Sequence, residues 1–514
     1  MDISNYTEIL SNKKANFFFP KDNVEQRLMA LTYIMENGYP AVIHTLIPYL
    51  KDKNEEIQNA TCNTIIGLFA KIETKKGYYD ALKHCDISNS DIDFFENKFT
   101  QEQVIRLLSL ASLNSSGYVR EKAVKKLSVS NNEKAIQFII YRLADWVQAV
   151  RQTALRGLEN FKKPQFINAF VDNLPIFDWL QKVERTDLKP VYNRIIAFIL
   201  IENKEYVLKH FPAFSEKTRL ILARQISASA NTADIRLLLK DKHFLIRTLA
   251  LEHFDKLSKD EINSLLKDKS AKVRIQMLYK LKSHSNFPEL VYSFLPDKSA
   301  SIREFVRFNL KNEIADFATV YNDSLKKKKE IFGSICGLGE TNGRQFYESL
   351  EPFLQDEKIA IKKAAFRALT KLNEQIAYSF AIQNIDSEYK GIRNVAINFL
   401  QKNLTAQVLE KARQVYANGK IELKKEMLEM FSSIGGWTTF ADLILGTIDE
   451  NENIRELSFG YLQMWRARAV RLFTQPKAGE LERARETFNF AFEMHEDKKY
   501  FKPNPLAGFE FYLR

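Results

Sequence analysis

Apolar positions along this chain recur at helical spacing, and the recurrence is itself periodic. One pattern repeats: a Leu-rich amphipathic stretch closing near Asp, four residues, an aliphatic residue, a basic residue, then small or apolar residues four and eight positions after the aliphatic one. Asp145-x4-Val150-Arg151 leads to Ala154 and Leu158, and Asp241-x4-Ile246-Arg247 to Ala250 and Phe254. Asp268-x4-Val273-Arg274 leads to Met277 and Leu281, and Asp297-x4-Ile302-Arg303 to Val306 and Leu310. Asp356-x4-Ile361-Lys362 and Asp449-x4-Ile454-Arg455 repeat it, while Val119-Arg120 and Ile392-Arg393 carry Asn114 and Ser387 at the acid position. Asp52-x4-Ile57 opens the series with Gln58 in place of the basic residue. The aliphatic anchors fall at 57, 119, 150, 246, 273, 302, 361, 392 and 454, separated by 62, 31, 96, 27, 29, 59, 31 and 62 residues. These are near multiples of about 30, so degenerate units fill the long gaps, among them Thr218-Arg219 and Leu423-Lys424.

Positions 0, +4 and +8 share one helical face, which predicts a second helix buried against the first helix of its own unit and against the next unit. Small residues at +4 (Ala123, Ala154, Ala250, Ala365, Ala396) allow close helix approach. The preceding Asp is suited to accept the free N–H groups at the helix start. First helices are amphipathic as well, as in residues 135–143. The fold predicted is all-α: a right-handed α-solenoid of stacked antiparallel helix pairs, with about a dozen or more units over residues 26–464. Residues 1–25 and 465–514 are read as an N-terminal cap and a C-terminal cap or docking tail. Residues 71–112, 160–215 and 311–345 fit the pattern worst and are expected to hold insertions or irregular units.

The Asp…Val-Arg-x-x-Ala-x-x-x-Leu unit resembles the HEAT repeat over most of the chain. Gly117-Tyr118-Val119-Arg120 and Arg142-Leu143-Ala144-Asp145-Trp146-Val147 are similar to segments of uncharacterised bacterial HEAT-repeat proteins. The resemblance implies a superhelix whose second helices line a concave face. It implies no particular ligand, because the scaffold hosts many functions.

Composition adds two constraints. Glycine (17) and proline (13) are sparse for 514 residues, which favours long helices joined by short turns. The formal charge of +12 is uneven: residues 1–115 hold 12 Lys/Arg against 15 Asp/Glu, and residues 181–310 hold 24 against 15. A basic centre would attract nucleic acid, an acidic protein or an anionic membrane, although a Lys-rich solvated surface with interspersed acids explains it as well. No stretch approaches the roughly 18–20 apolar residues of a membrane span, and no basic-then-apolar leader opens the chain. Cys62, Cys85 and Cys336 fit no metal, redox or disulfide spacing. The expectation is a soluble cytoplasmic protein.

No catalytic constellation emerges, and the chain is read as a non-enzyme without cofactor or metal. The seven histidines form no H-E-x-x-H or zinc pattern and are read as surface or turn residues. His84-Cys85 is adjacent in sequence, yet a nucleophile–base pair is defined by geometry. Residues 333–343 are rich in glycine but lack the strand and the Lys-Ser/Thr of a phosphate loop, so they read as a turn between repeats. The periodic arginines, at a fixed offset from Asp, predict a ladder of pairs between repeats. Asp145-Trp146 resembles a dipeptide of HEAT-like DNA alkylation-repair glycosylases, but those chains are much shorter and no other site motif matches; Trp146 reads as a turn or core aromatic.

If 0, +4 and +8 are buried, the +6 positions point away from the core. They are Lys125, Arg156, Glu252, Tyr279, Phe308, Arg367 and Asn398. Tyr279 and Phe308, in successive units and flanked by Lys280, Lys282 and Arg307, suit a peptide groove or base stacking; packing under an adjacent loop is the plainer account. The leading functional reading is a non-catalytic scaffold binding a protein or peptide partner along that face. The alternatives are a nucleic-acid-binding solenoid using the basic centre and, below it, a glycosylase-like HEAT enzyme.

Overall fold

The structure is a computed structural model that describes residues 3–11, 23–72, 81–184, 186–228, 230–469, 475–498, 500 and 503–514. Among the described residues every regular element is helical. They fall into two compact units, Met1–Ile262 and Asn263–Arg514, where the repeat pattern alone suggests one unbroken array. Within each unit the motif produces the helix pair that its spacing predicts. In the first, Ile136–Arg142 is followed by Gln148–Glu159; in the second, Glu374–Gln383 is followed by Lys390–Lys402.

The anchors account for the core. All nine, from Ile57 to Ile454, are at most 8% exposed, and Ala123, Ala154, Ala250, Met277, Val306, Ala365 and Ala396 at +4 are fully buried. Phe254, at +8, is the departure and is only half-buried. Its helix gives way to a 3-10 segment, Leu251–Lys256, where His253 leaves helical geometry (φ −105°, ψ 41°).

The arginine ladder is present in part: Arg151 and Arg455 donate to carbonyls of their own turns, with no ion pair to a neighbouring repeat among the described residues, while the others named below reach across. Arg120 holds both oxygens of Asp145 in the next pair (2.7 and 2.8 Å) while its other Nη donates to the carbonyls of Asn114 and Ser115 in its own turn. Arg219 binds Asp241 and the Phe214 carbonyl in the same way, and Arg274 binds Asp297 and the Asp268 carbonyl. Each guanidinium therefore closes its own turn and ties the following pair to it. Where the next unit lacks the motif Asp, a Glu replaces it: Arg303 pairs with Glu340, and Arg393 with Glu426. The Asp side chains act slightly earlier than a helix cap would. Asp145, Asp241, Asp268, Asp297, Asp356 and Asp449 each accept the N–H two residues on, which shapes the turn just before the second helix. Arg274→Ala removes a pair whose side chains are 12% and 10% exposed and leaves Asp297 without its main donor. It should lower stability by about 1–3 kcal/mol, read as a shift in the urea midpoint; an unchanged midpoint would make the ladder ornamental.

Two expectations about irregular segments separate. Residues 160–215 do depart from the pair pattern, through Ile167–Asp172, Leu174–Leu180, Lys189–Ala197 and a π-helical turn at Phe198–Glu202. Residues 311–345 do not: Phe317–Lys326 and Ile331–Glu340 form an ordinary pair. The motif is absent there because a tight connection replaces the usual turn, with Lys328 and Glu330 in left-handed conformation (φ 54° and 42°). Nor are residues 333–340 a turn; only Thr341–Gly343, with Asn342 in left-handed conformation (φ 52°), turn between elements. Gly333, Gly337 and Gly339 lie inside the Ile331–Glu340 helix, where a Cβ would overlap the Pro296 carbonyl oxygen, overlap the Tyr321 ring, or sit 2.9 Å from Ala368 Cα. They are glycines so that the helix can lie against its neighbours. Of the third region, 71–112, residues 73–80 are outside the described set; Asn89–Lys98 and Gln101–Ala111 are helical.

At the C-terminal end, Glu452–Ala469 continues past residue 464, and Ala478–Lys498 forms a further helix within the segment read as a cap or docking tail. Arg471 and residues 501–502 are outside the described residues. Leu506 and Phe509 beyond them are fully buried, and Phe509 packs on Phe440 and Trp465 (6.1 and 6.4 Å). The aromatic terminus thus covers the apolar surface of the last repeat. Of the N-terminal segment 1–25, only Ile3–Ser11 and residues 23–25 are described.

Candidate functional site

The +6 positions, with Lys280 beside Tyr279, emerge on the outward sides of second helices or, for Glu252, of the 3-10 segment that follows one, divided between the two units. Lys125, Arg156 and Glu252 lie in the first; Tyr279, Lys280, Phe308, Arg367 and Asn398 lie in the second, and all of these are exposed. Glu252 is partly tied down, accepting from the Ser227 hydroxyl at 3.2 Å. The two aromatics sit in successive second helices, one of them against a third ring. Tyr279 (54% exposed) lies edge-on to the buried Phe305 at 4.7 Å, and Phe308 (64% exposed) follows Phe305 by three residues, one step along the same helix. Lys311 stands over the Phe308 ring at 5.0 Å. Among the described residues no loop covers either ring to the extent that the plainer account requires.

Arg307 needs correction. Its side chain is 18% exposed, and its guanidinium donates to Glu340 (2.9 Å) and to the Tyr321 hydroxyl (3.1 Å). Burial alone would raise the Glu340 carboxyl, but hydrogen bonds and charge from Arg303 and Arg307 outweigh it and hold that carboxyl below the usual range. Arg307 therefore belongs to the packing between pairs and is unavailable to a ligand. The sequence carried no signal for this, because Glu340 lies 33 residues away in a segment that reads as a turn.

Arg367 has neighbours that the +6 rule passed over. A cleft of about 550 Å³ runs between Ile331–Glu340 and Ile359–Leu372, lined by Lys363, Arg367 and Lys371 over a floor that includes Gly339, Ala364 and Ala368. Lys363 occupies +2 of its repeat, an outward position on the same wheel, so the signal was available.

In the first unit a second cavity, about 580 Å³, lies beside the turn around Asp145. Tyr141 stacks on Trp179 (6.0 Å), Arg142 lies over Tyr141 (4.4 Å), and Trp146 is a turn residue 80% exposed. Asp145, the acid that the glycosylase comparison singles out, takes four donors: Nε and Nη2 of Arg120, Nη1 of Arg142, and the Val147 N–H. With both oxygens so engaged it is built to hold guanidinium groups and is poorly placed to activate water. Other candidate chemistry is similarly unsupported. Cys85 is buried, which pushes its thiol up to about 12, whereas His84 faces outward. The surface-or-turn reading fails for His495, which is buried against Thr447. Among the described residues no His/Cys/Asp/Glu group is arranged to hold a metal, and no helix is long and apolar enough to cross a membrane.

No protein-family model and no curated protein matches the chain. Solved structures it is similar to include the S. pombe condensin Cnd3–Cnd2 subcomplex (14% identity, 96% of this chain and 80% of that one, TM-score 0.34). Others are a Kap95p complex with RanGDP (9%, 100% and 69%, TM-score 0.26) and a homology model of the AP-3 complex (10%, 94% and 97%, TM-score 0.22). At these TM-scores the likenesses carry no weight beside the helix pairs described above.

Proposed function

We propose that the chain is a non-catalytic scaffold that binds a protein or peptide partner across the outward faces of its second helices. The observation that carries the reading is the pair of half-exposed rings in successive second helices, Tyr279 edge-on to Phe305 and Phe308 beneath Lys311, with exposed Lys280 and Lys282 next to Tyr279 in sequence. A ring anchored at one edge and bare on the other, as Tyr279 is, loses little conformational freedom on binding, which is the character of interface hot spots. The nucleic-acid alternative rests on the basic segment 181–310. Part of that charge is already used inside the protein: Lys204, Arg219, Arg236, Arg274, Arg303 and Arg307 all sit in ion pairs.

Tyr279→Ala and Phe308→Ala should each weaken partner binding by about 1–2 kcal/mol or more. Stability should fall by no more than roughly 0.5–1.5 kcal/mol for Tyr279, the worth of one aromatic contact. Calorimetric titration with the partner purified from the native source, alongside urea denaturation, reads both. Under the protein reading, binding survives moderate salt; under the nucleic-acid reading, affinity collapses with salt and Lys280→Ala matters as much as the rings. Unchanged binding in both aromatic variants would overturn the proposal.

A further inference from the structure

We propose that the cleft between Ile331–Glu340 and Ile359–Leu372 binds an acidic, extended segment of a protein partner. The inference rests on the scaffold reading and specifies a ligand class for one part of that surface.

Lys363, Arg367 and Lys371 stand four residues apart, so they fall on one face of the helix at intervals of about 6 Å. All three line the cleft, and Arg367 and Lys371 are exposed. Like charges at this spacing destabilise a helix, and acids elsewhere in the protein relieve such cations. Lys122 pairs with Asp93, Lys126 with Glu96, Lys134 with Glu102, and Lys411 with Asp386. The three cleft cations have no such relief: among the described residues, no ion pair involves Lys363, Arg367 or Lys371. The one acid lining the cleft, Glu340, is already held by Arg303 and Arg307. The net charge presented to a ligand is therefore strongly positive.

The shape narrows the occupant. The floor of Gly339, Ala360, Ala364 and Ala368 presents little side chain, so a backbone could lie close to it. A helix would hold its own backbone away from this floor by the thickness of its side chains, leaving the bare floor unused. An extended chain is narrow and places alternate side chains on one side every ~6.6–6.8 Å. Carboxylates at every second position would thus meet Arg367 and Lys371 in register, with Lys363, whose side chain reaches toward Gly391 of Lys390–Lys402, beside them. A single nucleic-acid strand offers similar charge spacing but gains affinity from stacking on aromatic rings. Phe332, half-buried, is the one aromatic residue that lines the cleft.

The test is fluorescence anisotropy on the full chain with a labelled peptide of alternating Asp and Ala. Three comparison probes are a peptide of the same composition with its acids in one block, an Asn-for-Asp version, and an oligothymidine strand. The alternating peptide should bind best, and its affinity should fall as salt rises. Arg367→Glu should weaken it at least tenfold. Lys163→Glu, an exposed cation of the first unit outside the second-helix face, should change it less than twofold. All these side chains are solvent-facing, and circular dichroism of each variant verifies that the fold is kept. Equal binding of the blocked peptide, tighter binding of oligothymidine, or an unaltered affinity in Arg367→Glu would overturn the proposal. Tyr279→Ala and Phe308→Ala should leave peptide binding intact. Loss of the peptide signal with ring-dependent partner binding preserved therefore condemns the cleft alone, and the converse condemns the aromatic face alone.

Discussion

Asp145→Ala is expected to cost the first unit about 3–5 kcal/mol, the range for removing one member of a buried charge cluster. The carboxylate is 4% exposed and satisfies Arg120, Arg142 and the Val147 N–H together, so its loss leaves two guanidinium groups without their shared counter-charge. Asp145→Asn, which keeps the volume and removes the charge, should recover only a small part of this. The same cluster predicts a pH dependence. Burial would raise the Asp145 carboxyl, but the Arg120 and Val147 hydrogen bonds and the two arginine charges outweigh it and hold it below its ordinary value. A carboxyl depressed in the folded state contributes stability that is complete above its unfolded value, about 3.9, and is lost as pH falls through the folded one. The gap between wild type and Asp145→Asn should therefore be wide at neutral pH and narrow below about pH 4. Urea titrations at the two pH values read it; a gap that persists undiminished in acid would mean that packing, rather than charge, holds this corner together.

Gly333→Ala and Gly460→Ala should move stability in opposite directions. Both glycines are helical, and by propensity alone each substitution gains about 0.5–1 kcal/mol. Gly460 lies in Glu452–Ala469 with nothing within 4 Å of a built Cβ, so it should realise that gain. At Gly333 the added carbon meets the Pro296 carbonyl oxygen, which is backbone and cannot swing aside. Over-packing of this kind costs about 1–3 kcal/mol and more where backbone must move, so the second unit should be clearly destabilised. Thermal or urea unfolding of the two variants settles the sign, and stabilisation at Gly333 would contradict the close helix approach.

The repeat was legible because it is a packing rule written at fixed offsets. A residue facing two neighbours at once must be apolar at 0, +4 and +8, and the nine anchors obey this even where the basic residue is missing, as at Gln58. What escaped has physical causes of its own. The glycines at 333, 337 and 339 have the composition of a turn, and only the positions of Pro296, Tyr321 and Ala368 show that they serve a helix. The boundary near residue 262 leaves no mark in the anchor spacing. The seven +6 positions and the flanking Lys280 and Lys282 lie outward because the wheel follows from the buried face; Arg307 does not, because a long side chain reaches back to Glu340. Lys363 and Lys371 gain meaning only when the adjoining helix places them along a cleft.

The central claim is that a protein partner lies on the second-helix face, and photo-crosslinking in the native cell tests it most directly. A benzoylphenylalanine placed at Phe308 samples that face, and one placed at Tyr292, 49% exposed on the first helix Phe287–Tyr292, samples another part of the surface of the same unit. The scaffold account predicts a discrete protein adduct from position 308 that is lost when Tyr279→Ala is added, with no such adduct from position 292. Adducts of equal yield from both positions, or adducts from position 308 to nucleic acid alone, would contradict it.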